Sequence, residues 1–413
     1  MNNLKENHED ELSVFTPSLT NTCVHTRQWI EYRPTNQISG ESPLEFLIPP
    51  QSVGYMDLRR STLKIKLRFT NALGQPVAKD ANLPLQAVFS QVDCSLQQTS
   101  VTQTGTNYPY KAYIDTLLET GANDRVLRDS QLFEKDSPGY HDDVRNGANI
   151  GLYTRSMYTD EGLLLELEVP LHLDVFRPKR LIINRVSLTM KLWPSKNAIR
   201  LISGEEGAAS AVQILDAGFK LCLQKPNAGV LMAHSKLLAN GTAMYQYVST
   251  SFKIASLSKG EYIHSESNLF QGDVPSQLIV GLVSSEAFSG NYKKSPFNFQ
   301  RSTVIFWPCT STDNRTRPNR YNPTSPNKNY VEAYRTLSVF GNDVDVSYAA
   351  YGGGYAIYVL NVDDDVDFNT KRREDCRLEI RFGTALPESV RVLMYAKFPR
   401  IVHVDQSRSV LLQ

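Results

Sequence analysis

Acidic side chains cluster between Asp363 and Asp367, and their spacing comes nearest in this sequence to a metal-ligand set. With Asp363 as position one, carboxylates fall at positions one, three, five and twelve, the last at Glu374. That spacing is typical of an EF-hand calcium loop, but position six is Phe368, where the sharp turn requires glycine. We therefore expect a solvated acidic loop without a metal, and its role stays open.

Motifs for catalysis are missing from the sequence. The triplet Gly352-Gly353-Gly354 lacks the GxxxxGK[ST] pattern of a phosphate loop and precedes a predicted strand, so we interpret it as a flexible strand entry or bulge. No HExxH, GxSxG or DxDxDG element occurs, and the seven histidines show no ligand spacing. We expect a protein that is not an enzyme, with no catalytic residues, no cofactor-binding residues and no metal ligands.

Basic residues form two short clusters, Lys371-Arg372-Arg373 and Arg177-Pro178-Lys179-Arg180. Solvated turns are the ordinary interpretation, and nuclear-import signals or contacts with acidic partners are the alternatives. A proline-rich stretch, Pro308 to Lys328, contains further arginines between Arg315 and Arg320, whose role also stays open. We expect this stretch, and a polar excursion from Gly121 to Asn149, to be surface loops that are functional or mobile.

The five cysteines, Cys23, Cys94, Cys222, Cys309 and Cys376, lie far apart in the sequence and form no CxxC pair. This spacing argues against a zinc clip or a redox motif. We expect ordinary thiols, most of them buried, and no disulfides.

Length and charge narrow the class of protein further. At about 150 residues per domain, 413 residues predict two or three domains, or two large β domains. A net charge of +1 excludes nucleic-acid binding by bulk charge. The apolar runs are shorter than the roughly 18 residues of a membrane span. The polar, acidic start of the chain lacks the layout of a signal peptide, so we expect an intracellular protein.

Alternation of apolar and polar residues predicts β-strands along most of the chain. Apolar side chains alternate from Leu63 to Phe69, from Leu165 to Val175 and from Val186 to Leu192. Pro170 interrupts the second run, which predicts an edge strand or a bend there. Further runs include Phe219 to Leu223, Tyr355 to Leu360, which is apolar on both faces and so predicted to be buried on both, and Val390 to Phe398. Short strands between Gly, Pro, Asn and Asp clusters favour sandwiches over a parallel sheet.

Helical signals are few. The sequence predicts short helices over Tyr110 to Glu119, Val230 to Ala239 and Val331 to Val339. The best domain boundary lies between Gln224 and Gly241, which leaves two halves of similar length. A faint echo of Ala112-Tyr113 in Ala333-Tyr334 hints at duplication of one half into the other.

Several short motifs, spread in order over nearly the whole chain, resemble the double jelly-roll major capsid proteins of Polinton/Maverick elements and adintoviruses. In the first half they are Leu44 to Pro49 with the strand Leu63 to Phe69, and Phe89 to Asp93 leading to Tyr108 to Ile114. In the second half they are Asn268 to Gly272 with Leu278 to Val283, Ala287-Phe288, Gly290 to Tyr292, Pro296 to Phe299, and Ala385 to Pro387 with the strand through Phe398 to Asp405.

The resemblance implies an all-β protein of two tandem jelly-roll sandwiches with a few short helices. Its expected parts are an acidic N-terminal arm at 1–20, a first jelly roll at 21–225 and a second at 226–413. It further implies a structural major capsid protein that forms homotrimeric, pseudo-hexagonal capsomers and tiles an icosahedral shell. The expected partners are other copies of the chain and other capsid proteins such as a vertex protein, without sequence-specific nucleic-acid binding and without a transmembrane segment.

The implied location is the virion capsid, with synthesis in the host cytoplasm and assembly there or in the nucleus. Three other interpretations stay open: a minor vertex capsid protein, a host-domesticated capsid-like protein, and a β-sandwich protein that binds glycans or a receptor. The vertex role needs only one jelly roll as a rule, so the length argues against it.

Overall fold

A computed structural model gives the structure of this chain. It describes residues 23–40, 42–70, 84–121, 124–144, 147–159, 163–202, 211–301, 304–307, 330–361 and 376–413. The acidic run, the Lys371 cluster and the proline-rich stretch all lie outside these ranges, as does the N-terminal arm.

Sixteen strands lie within the described ranges, and eight of them come before residue 227. These eight are β1 (Val24–Tyr32), β2 (Leu44–Ile48), β3 (Tyr55–Thr70), β4 (Phe89–Leu96), β5 (Thr99–Gln103), β6 (Leu165–Val169), β7 (Leu188–Pro194) and β8 (Ala211–Pro226). The others are β9 (Ala243–Leu257), β10 (Ile263–Glu266), β11 (Gln277–Ser284), β12 (Val304–Trp307), β13 (Ile357–Asn361), β14 (Leu378–Phe382), β15 (Val390–Val404) and β16 (Val410–Leu412).

Nine short α-helices connect the described strands. They are α1 (Pro84–Val88), α2 (Tyr108–Glu119), α3 (Arg125–Ser130), α4 (Ile150–Met157), α5 (Asn197–Arg200), α6 (Ala228–Leu238), α7 (Ser285–Ser289), α8 (Val331–Arg335) and α9 (Tyr348–Tyr351). Short 3-10 turns add to these, at Gly105–Asn107, Asp174–Phe176 and Thr336–Asp343.

The first eight strands form two antiparallel sheets that face each other. Their orders are β1-β8-β3-β6 and β2-β7-β4-β5. All neighbours in the two sheets except β4 and β5 are therefore distant in sequence, as interleaved Greek keys require. The two sheets enclose one core of aliphatic and aromatic side chains, so this half of the chain is a jelly-roll sandwich.

The strands from β9 onward repeat this arrangement. One sheet has the order β9-β15-β11-β13 and the other β10-β14-β12, again antiparallel. If β9 is counted as position 1 and position 5 is left empty between β12 and β13, these orders become 1-8-3-6 and 2-7-4. The first sandwich has the same orders, with β5 added beside β4. Part of that connection lies outside the described residues. β16 adds a short pairing to the far end of β15.

The predicted alternation is confirmed where strands lie with one face on a core. In β3, Leu63, Ile65 and Leu67 are fully buried, while Lys64 and Lys66 pair with Glu166 of β6. β6 lies at the edge of its sheet and ends at Val169, as the proline after it predicted. The prediction that this strand continues to Val175 is wrong beyond Val169. Pro170 cannot donate a ladder hydrogen bond, and the chain forms a 3-10 helix from Asp174.

Burial on both faces is confirmed for β13, whose residues Ile357 to Leu360 are all buried between the core and the helices that cover the sheet. The three predicted helices are present as α2, α6 and α8. The third is shorter than expected, since α8 ends at Arg335 and the chain continues as a 3-10 helix from Thr336. Ala112 and Ala333 each lie in a helix of the connection before the sixth strand position of their sandwich.

Cysteine chemistry differs in part from the expectation. Cys23 is exposed and Cys94 and Cys222 are buried, and none of these three forms a disulfide. Cys376 is disulfide-bonded, so the expectation of ordinary thiols throughout is wrong for this residue. Separation in sequence did not reveal the pairing, because the fold brings distant segments of chain together.

The two cores share elements across the boundary between the sandwiches. The N-terminal part of α2, with Tyr108 and Ala112, packs in the first core, and the opposite face, with Tyr113 and Leu117, packs in the second. From the other side, the far ends of β9 and β15 contribute to the first core through Tyr245, Tyr247, Val402 and Val404. The boundary is therefore a packed interior shared by both halves of the chain.

Candidate functional site: the interface between the sandwiches

Helix α2 carries the polar residues at the centre of this interface. It begins after a turn, with Pro109 in its first turn, where the missing N–H costs no hydrogen bond. Every residue from Tyr108 to Leu118 is buried, including Lys111 and Asp115. These two lie four residues apart and so on one face of the helix. A lysine and an aspartate in this environment require partners from elsewhere in the fold.

Those partners come from both sandwiches and form what we call the ionic cluster, consisting of Lys111, Asp115, Glu119, Asp174, Arg177 and Lys397. The Nζ atom of Lys111 lies 3.0 Å from an oxygen of Asp115 and 2.9 Å from an oxygen of Asp174. An Arg177 guanidinium nitrogen lies 2.5 Å from Asp115. The cluster thus joins α2 to the segment that follows β6.

Tyr395 and Thr250 of the second sandwich bind the buried part of the ionic cluster. The hydroxyl of Tyr395 in β15 donates to Asp115 at 2.8 Å and accepts from Lys111 at 3.2 Å. The backbone N–H of Thr250 in β9 donates to Asp174 at 2.8 Å, and the Thr250 hydroxyl donates at 3.0 Å. Each of the two deeply buried carboxylates is therefore bonded by both halves of the chain.

Glu119 completes the ionic cluster at the end of α2. It pairs with Arg177 on its own side and with Lys397 of β15 at 3.2 Å. Three cations and three carboxylates make the cluster neutral at pH 7. This balance matters because an unpaired charge at such a depth costs several kcal/mol.

The pairing sets the protonation of the cluster. Burial alone would raise the pKa of Asp115, but Arg177 and Lys111 more than offset it and hold that pKa well below its usual value. Burial would lower the pKa of Lys111, and Asp115 with Asp174 raise it well above the ordinary value. Lys111 and Asp115 therefore both stay charged around neutral pH.

His172 borders the ionic cluster and behaves differently. Its Nε2 atom lies 3.2 Å from the hydroxyl of Thr116 on α2. Burial lowers its pKa to about 4; Asp115 and Glu119 oppose this shift, while Arg177 and Lys111 add to it. At neutral pH this imidazole is therefore uncharged.

A second contact between the halves comes from the predicted excursion at Gly121 to Asn149. The expectation of a surface loop is wrong for its middle, which packs against the second sandwich. Buried Asp136 pairs with Arg155 of α4 at 2.6 Å and accepts from the Asn149 amide at 3.0 Å. The hydroxyl of Tyr355 donates to the Asp136 carbonyl at 2.6 Å.

Further along this excursion lies what we call the His141 site, consisting of His141, Gly354 and Tyr355. The imidazole is 1% exposed, stands edge-on to the Tyr355 ring, and lies against Gly354. Neither ring nitrogen has a hydrogen-bond partner among the described residues. Burial lowers the pKa of His141, opposed by Asp136 and Asp142 and assisted by Arg155.

The glycine triplet at 352–354 is thus a place of close approach. A Cβ on Gly354, whose φ is +109°, would overlap the His141 ring, and a Cβ on Gly353 would lie 2.7 Å from Pro138. The backbone N–H of Gly139 donates to the Gly353 carbonyl at 2.7 Å. Interpretation as a flexible strand entry is wrong here, since glycine is required for packing.

Aromatic stacking reinforces the same boundary. The Tyr113 ring of α2 stacks on Phe297 with centroids 4.4 Å apart and planes inclined by 4°. Beside it, Asp142 accepts from the Ser295 N–H at 2.7 Å and from the Asn298 amide at 3.0 Å. Polar and apolar contacts therefore alternate along the whole boundary.

The arrangement is suited to fixing geometry and offers little for catalysis. Each charge of the ionic cluster is paired within the chain itself. Within the described ranges, no group of three His, Cys, Asp or Glu residues could hold a metal ion. Among the same residues, no helix is both long and apolar enough to cross a bilayer.

The basic cluster at 177–180 is only partly the solvated turn that its sequence suggests. Arg177 is part of the ionic cluster, and Arg180 donates to the carbonyl of Met244 at 2.7 Å across the boundary, while Lys179 is exposed. Sequence reasoning missed Lys111 and Asp115 altogether. The available signal was an i, i+4 pair of opposite charges within a predicted helix whose other faces are apolar.

Comparison with known proteins follows from this geometry. No protein-family model matches the chain. A curated protein of Caenorhabditis elegans, described as uncharacterized, is 22% identical over 435 aligned positions that cover 95% of this chain and 98% of the relative.

Solved structures from viruses share the whole fold. A chain in the cryo-EM structure of the Sputnik virophage matches with a TM-score of 0.65 and 12% identity, covering 98% of this chain and 91% of that one. The Faustovirus major capsid protein matches with a TM-score of 0.58 and 8% identity, over 95% and 93%. The mavirus major capsid protein matches with a TM-score of 0.53 and 11% identity, over 97% and 94%.

This chain has the double jelly-roll fold. The matches extend over both sandwiches at once, and the strand orders of the two halves agree with that architecture. The all-β class with two tandem jelly rolls and a few short helices, predicted from the sequence, is confirmed.

Proposed function

We propose that this protein is a structural major capsid protein of a virus or virus-like element. The observation that carries the proposal is the match of nearly the whole chain to nearly the whole of the mavirus and Faustovirus major capsid proteins. A protein that used one jelly roll for a different purpose would match them over one half only.

The interface described above supports a role as a building block. A shell subunit must keep its two sandwiches at a fixed angle, because an error in each copy is multiplied around a closed assembly. Buried, fully paired charges are retained in some proteins for such conformational specificity. The ionic cluster and the Tyr113–Phe297 stack would supply this rigidity between the halves.

The finer assignment follows the sequence resemblance. We infer homotrimers with a pseudo-hexagonal outline, since three chains with two similar sandwiches present six similar sides. Such trimers would tile an icosahedral shell in the virion, with a separate vertex protein as a partner, in a Polinton, Maverick or adintovirus setting. The division into an arm at 1–20 and jelly rolls at 21–225 and 226–413 belongs to the same proposal, and no catalytic role is part of it.

An exposed apolar stripe on α4 is the surface that we assign to contact between subunits. Ile150, Tyr153 and Met157 lie at i, i+3 and i+7, so they share one helix face, and each is more than half exposed. The opposite face of α4, with Leu152 and Arg155, is buried in the chain itself.

The test is the mass and shape of the purified full-length protein. Light scattering after gel filtration should give about 140 kDa, three times the 46.5 kDa of one chain, and negative-stain images should show hexagonal outlines. Tyr153→Asp should lower the trimer fraction, and Lys259→Asp, in an exposed turn, should leave it unchanged. A stable monomer at high concentration would overturn the proposal, whereas an unaffected Tyr153→Asp trimer would overturn only the role of the stripe.

A second candidate, a host-domesticated capsid-like protein, is favoured by the relative of similar length from a nematode. The two roles differ in the product of assembly. Expression in eukaryotic cells should yield closed shells for a virion protein, visible in sectioned cells, and only trimers or small oligomers for a protein that has left the viral cycle.

A further inference from the structure

An apolar groove of about 460 Å³ lies beside α6, the helix that connects the two sandwiches. It is bounded by α6, by the start of β9 and by the segment that follows the basic cluster at 177–180. Its lining is predominantly apolar and includes Val230, Leu237, Leu181, Ile183 and Met244. The groove lies on the outside of the boundary, away from the ionic cluster.

The apolar side chains of this groove lack cover from the described chain. Leu237 is 69% exposed and Met244 is 53% exposed, although both line the same groove. Val230, His234 and Leu237 recur at helical spacing, so one face of α6 points into it. Among the residues of α6 only Leu238 is buried. Exposed apolar side chains gathered in one concavity are typical of a binding surface.

The path of the chain leads directly to this groove. Cys23 is part of its lining, and the Cys23 carbonyl accepts from the backbone N–H of Asn227, 2.9 Å away, at the start of α6. β1 then pairs with β8 from Val24 onward. The residues before Cys23 are therefore tethered at the wall of the groove.

The tethered segment has the chemistry that such a groove selects. From Leu12 to Thr22 the sequence carries no charged residue, and it includes Val14, Phe15 and Leu19. Leu19 precedes Cys23 by four residues and Phe15 by eight, so at about 3.3 Å per residue they reach roughly 13 and 26 Å from the tether. These lengths are upper limits on reach, so both side chains can reach a groove whose lining includes Cys23 itself.

Charge favours the same docking. The residues before Leu12 are acidic, with Glu6, Glu9, Asp10 and Glu11. Arg180 lines the groove, and Lys236 is exposed on α6 beside it. An acidic stretch leaving the groove would meet these cations at its rim.

We propose that residues 12–19 bind in this groove of their own chain, with the Phe15 ring against Leu237 and Met244. The arm would cover the exposed face of α6 and hold the connection between the sandwiches. This inference does not depend on a capsid role, because it concerns contacts within one chain.

The experiment places a photo-cross-linking benzoylphenylalanine at position 15 of the full-length protein, with the same group at Lys5 as the control position. Irradiation should link position 15 to peptides from α6 or the start of β9, as mapped by mass spectrometry. Equal amounts of ¹⁴N- and ¹⁵N-labelled chains should give links between segments of like label. Links between unlike labels in about half of the products, the share expected at random in an equal mixture, would assign the groove to the arm of a second copy and overturn the proposal.

Matched variants test the groove itself. Leu237→Asp should lower the cross-link yield about tenfold, since it replaces a buried apolar contact with a charge. Met232→Asp, equally exposed on α6 but outside the groove, should leave the yield unchanged. Equal yields in the two variants, or links from position 15 to other surfaces, would overturn the proposal. Far-UV circular dichroism of both variants checks that the fold is retained.

Discussion

The ionic cluster and the His141 site both lie in the boundary between the sandwiches, yet they are built on opposite principles. In the ionic cluster, six charged groups balance each other and the most buried carboxylate receives bonds from three side chains. In the His141 site, a buried imidazole has no hydrogen-bond partner within the described ranges. It is held by packing, and Gly354 leaves the space that the ring occupies.

The difference shows two ways of holding the same two bodies together. The ionic cluster specifies one relative position, because a shift of either half leaves charges unpaired at a cost of several kcal/mol. The His141 site specifies closeness of approach, because only a bare backbone fits beside the ring. Loss of a charge should therefore destabilise the ionic cluster most. Added volume or protonation should destabilise the His141 site most.

Removal of a charge from the ionic cluster should have the largest effect. Asp115→Asn keeps the shape of the side chain but leaves Lys111 and Arg177 short of a carboxylate. We expect the free energy of unfolding to fall by about 3–5 kcal/mol, measured by denaturant titration.

The matched control is Glu166→Gln, which removes a carboxylate from a surface pair with Lys64 and Lys66. We expect a much smaller loss than for Asp115→Asn, because water screens an exposed pair, and added salt should shrink its contribution further. If the two variants lost the same stability, the ionic cluster would not be the specifying contact that we describe.

Added volume at the His141 site should have an intermediate effect. Gly354→Ala combines a strained φ with an overlap on the imidazole, and we expect a loss of about 2–4 kcal/mol. Gly260→Ala has a similar φ of +89° with open space around its Cβ, so it reports the backbone strain alone. The double variant Gly354→Ala/His141→Ala should regain the part of the stability that is lost to overlap with the imidazole ring. If it regained none, the packing role of the ring would be contradicted.

Protonation should have the smallest effect and affect both sites. A histidine whose pKa is lower in the folded protein than the ordinary 6.5 gives a stability that is fully present above pH 6.5 and is lost as the pH falls through that value. The pKa of His172 is lowered to about 4, so its contribution to the free energy of unfolding is lost progressively between pH 6.5 and pH 4. The lowered pKa of His141 acts in the same direction. We expect the free energy of unfolding to fall by about 2–3 kcal/mol between pH 7 and 4.5.

The variants His172→Gln and His141→Gln should each flatten part of this pH dependence. The pH window is chosen because Asp115, whose pKa is held well below its usual value, keeps its charge throughout it. A wild-type protein with constant stability between pH 7 and 4.5 would show that both rings accept a proton without cost.

Much of the fold could be predicted from local patterns in the sequence. Alternation at Leu63 to Phe69 gave the strand and its buried face, because strands at the surface of a core have one wet and one dry side. Pro170 indicated the edge position of β6, and Tyr355 to Leu360 indicated a strand buried on both faces. These features depend on neighbours in the chain, which the sequence displays.

The interface could not be predicted in the same way, because its partners are distant in sequence. Asp115 and Tyr395 are 280 residues apart, and Asp136 and Tyr355 are 219 apart. Arg177 lay in a cluster of basic residues typical of a solvated turn, and only the fold shows that it meets Asp115. The glycine triplet was visible, but the ring that requires it follows a different segment of chain.

The sharing of α2 between two cores has a consequence for biosynthesis. As the chain leaves the ribosome, the first sandwich emerges complete in its strands while Tyr113 and Leu117 still lack the surface against which they pack. That surface arrives only with the second sandwich and includes Phe297, which follows Tyr113 by 297 − 113 = 184 residues. During this interval the nascent chain exposes the apolar face of α2, and Lys111 and Asp115 lack their hydrogen bonds to Tyr395. We therefore expect chaperones to bind the protein before translation ends.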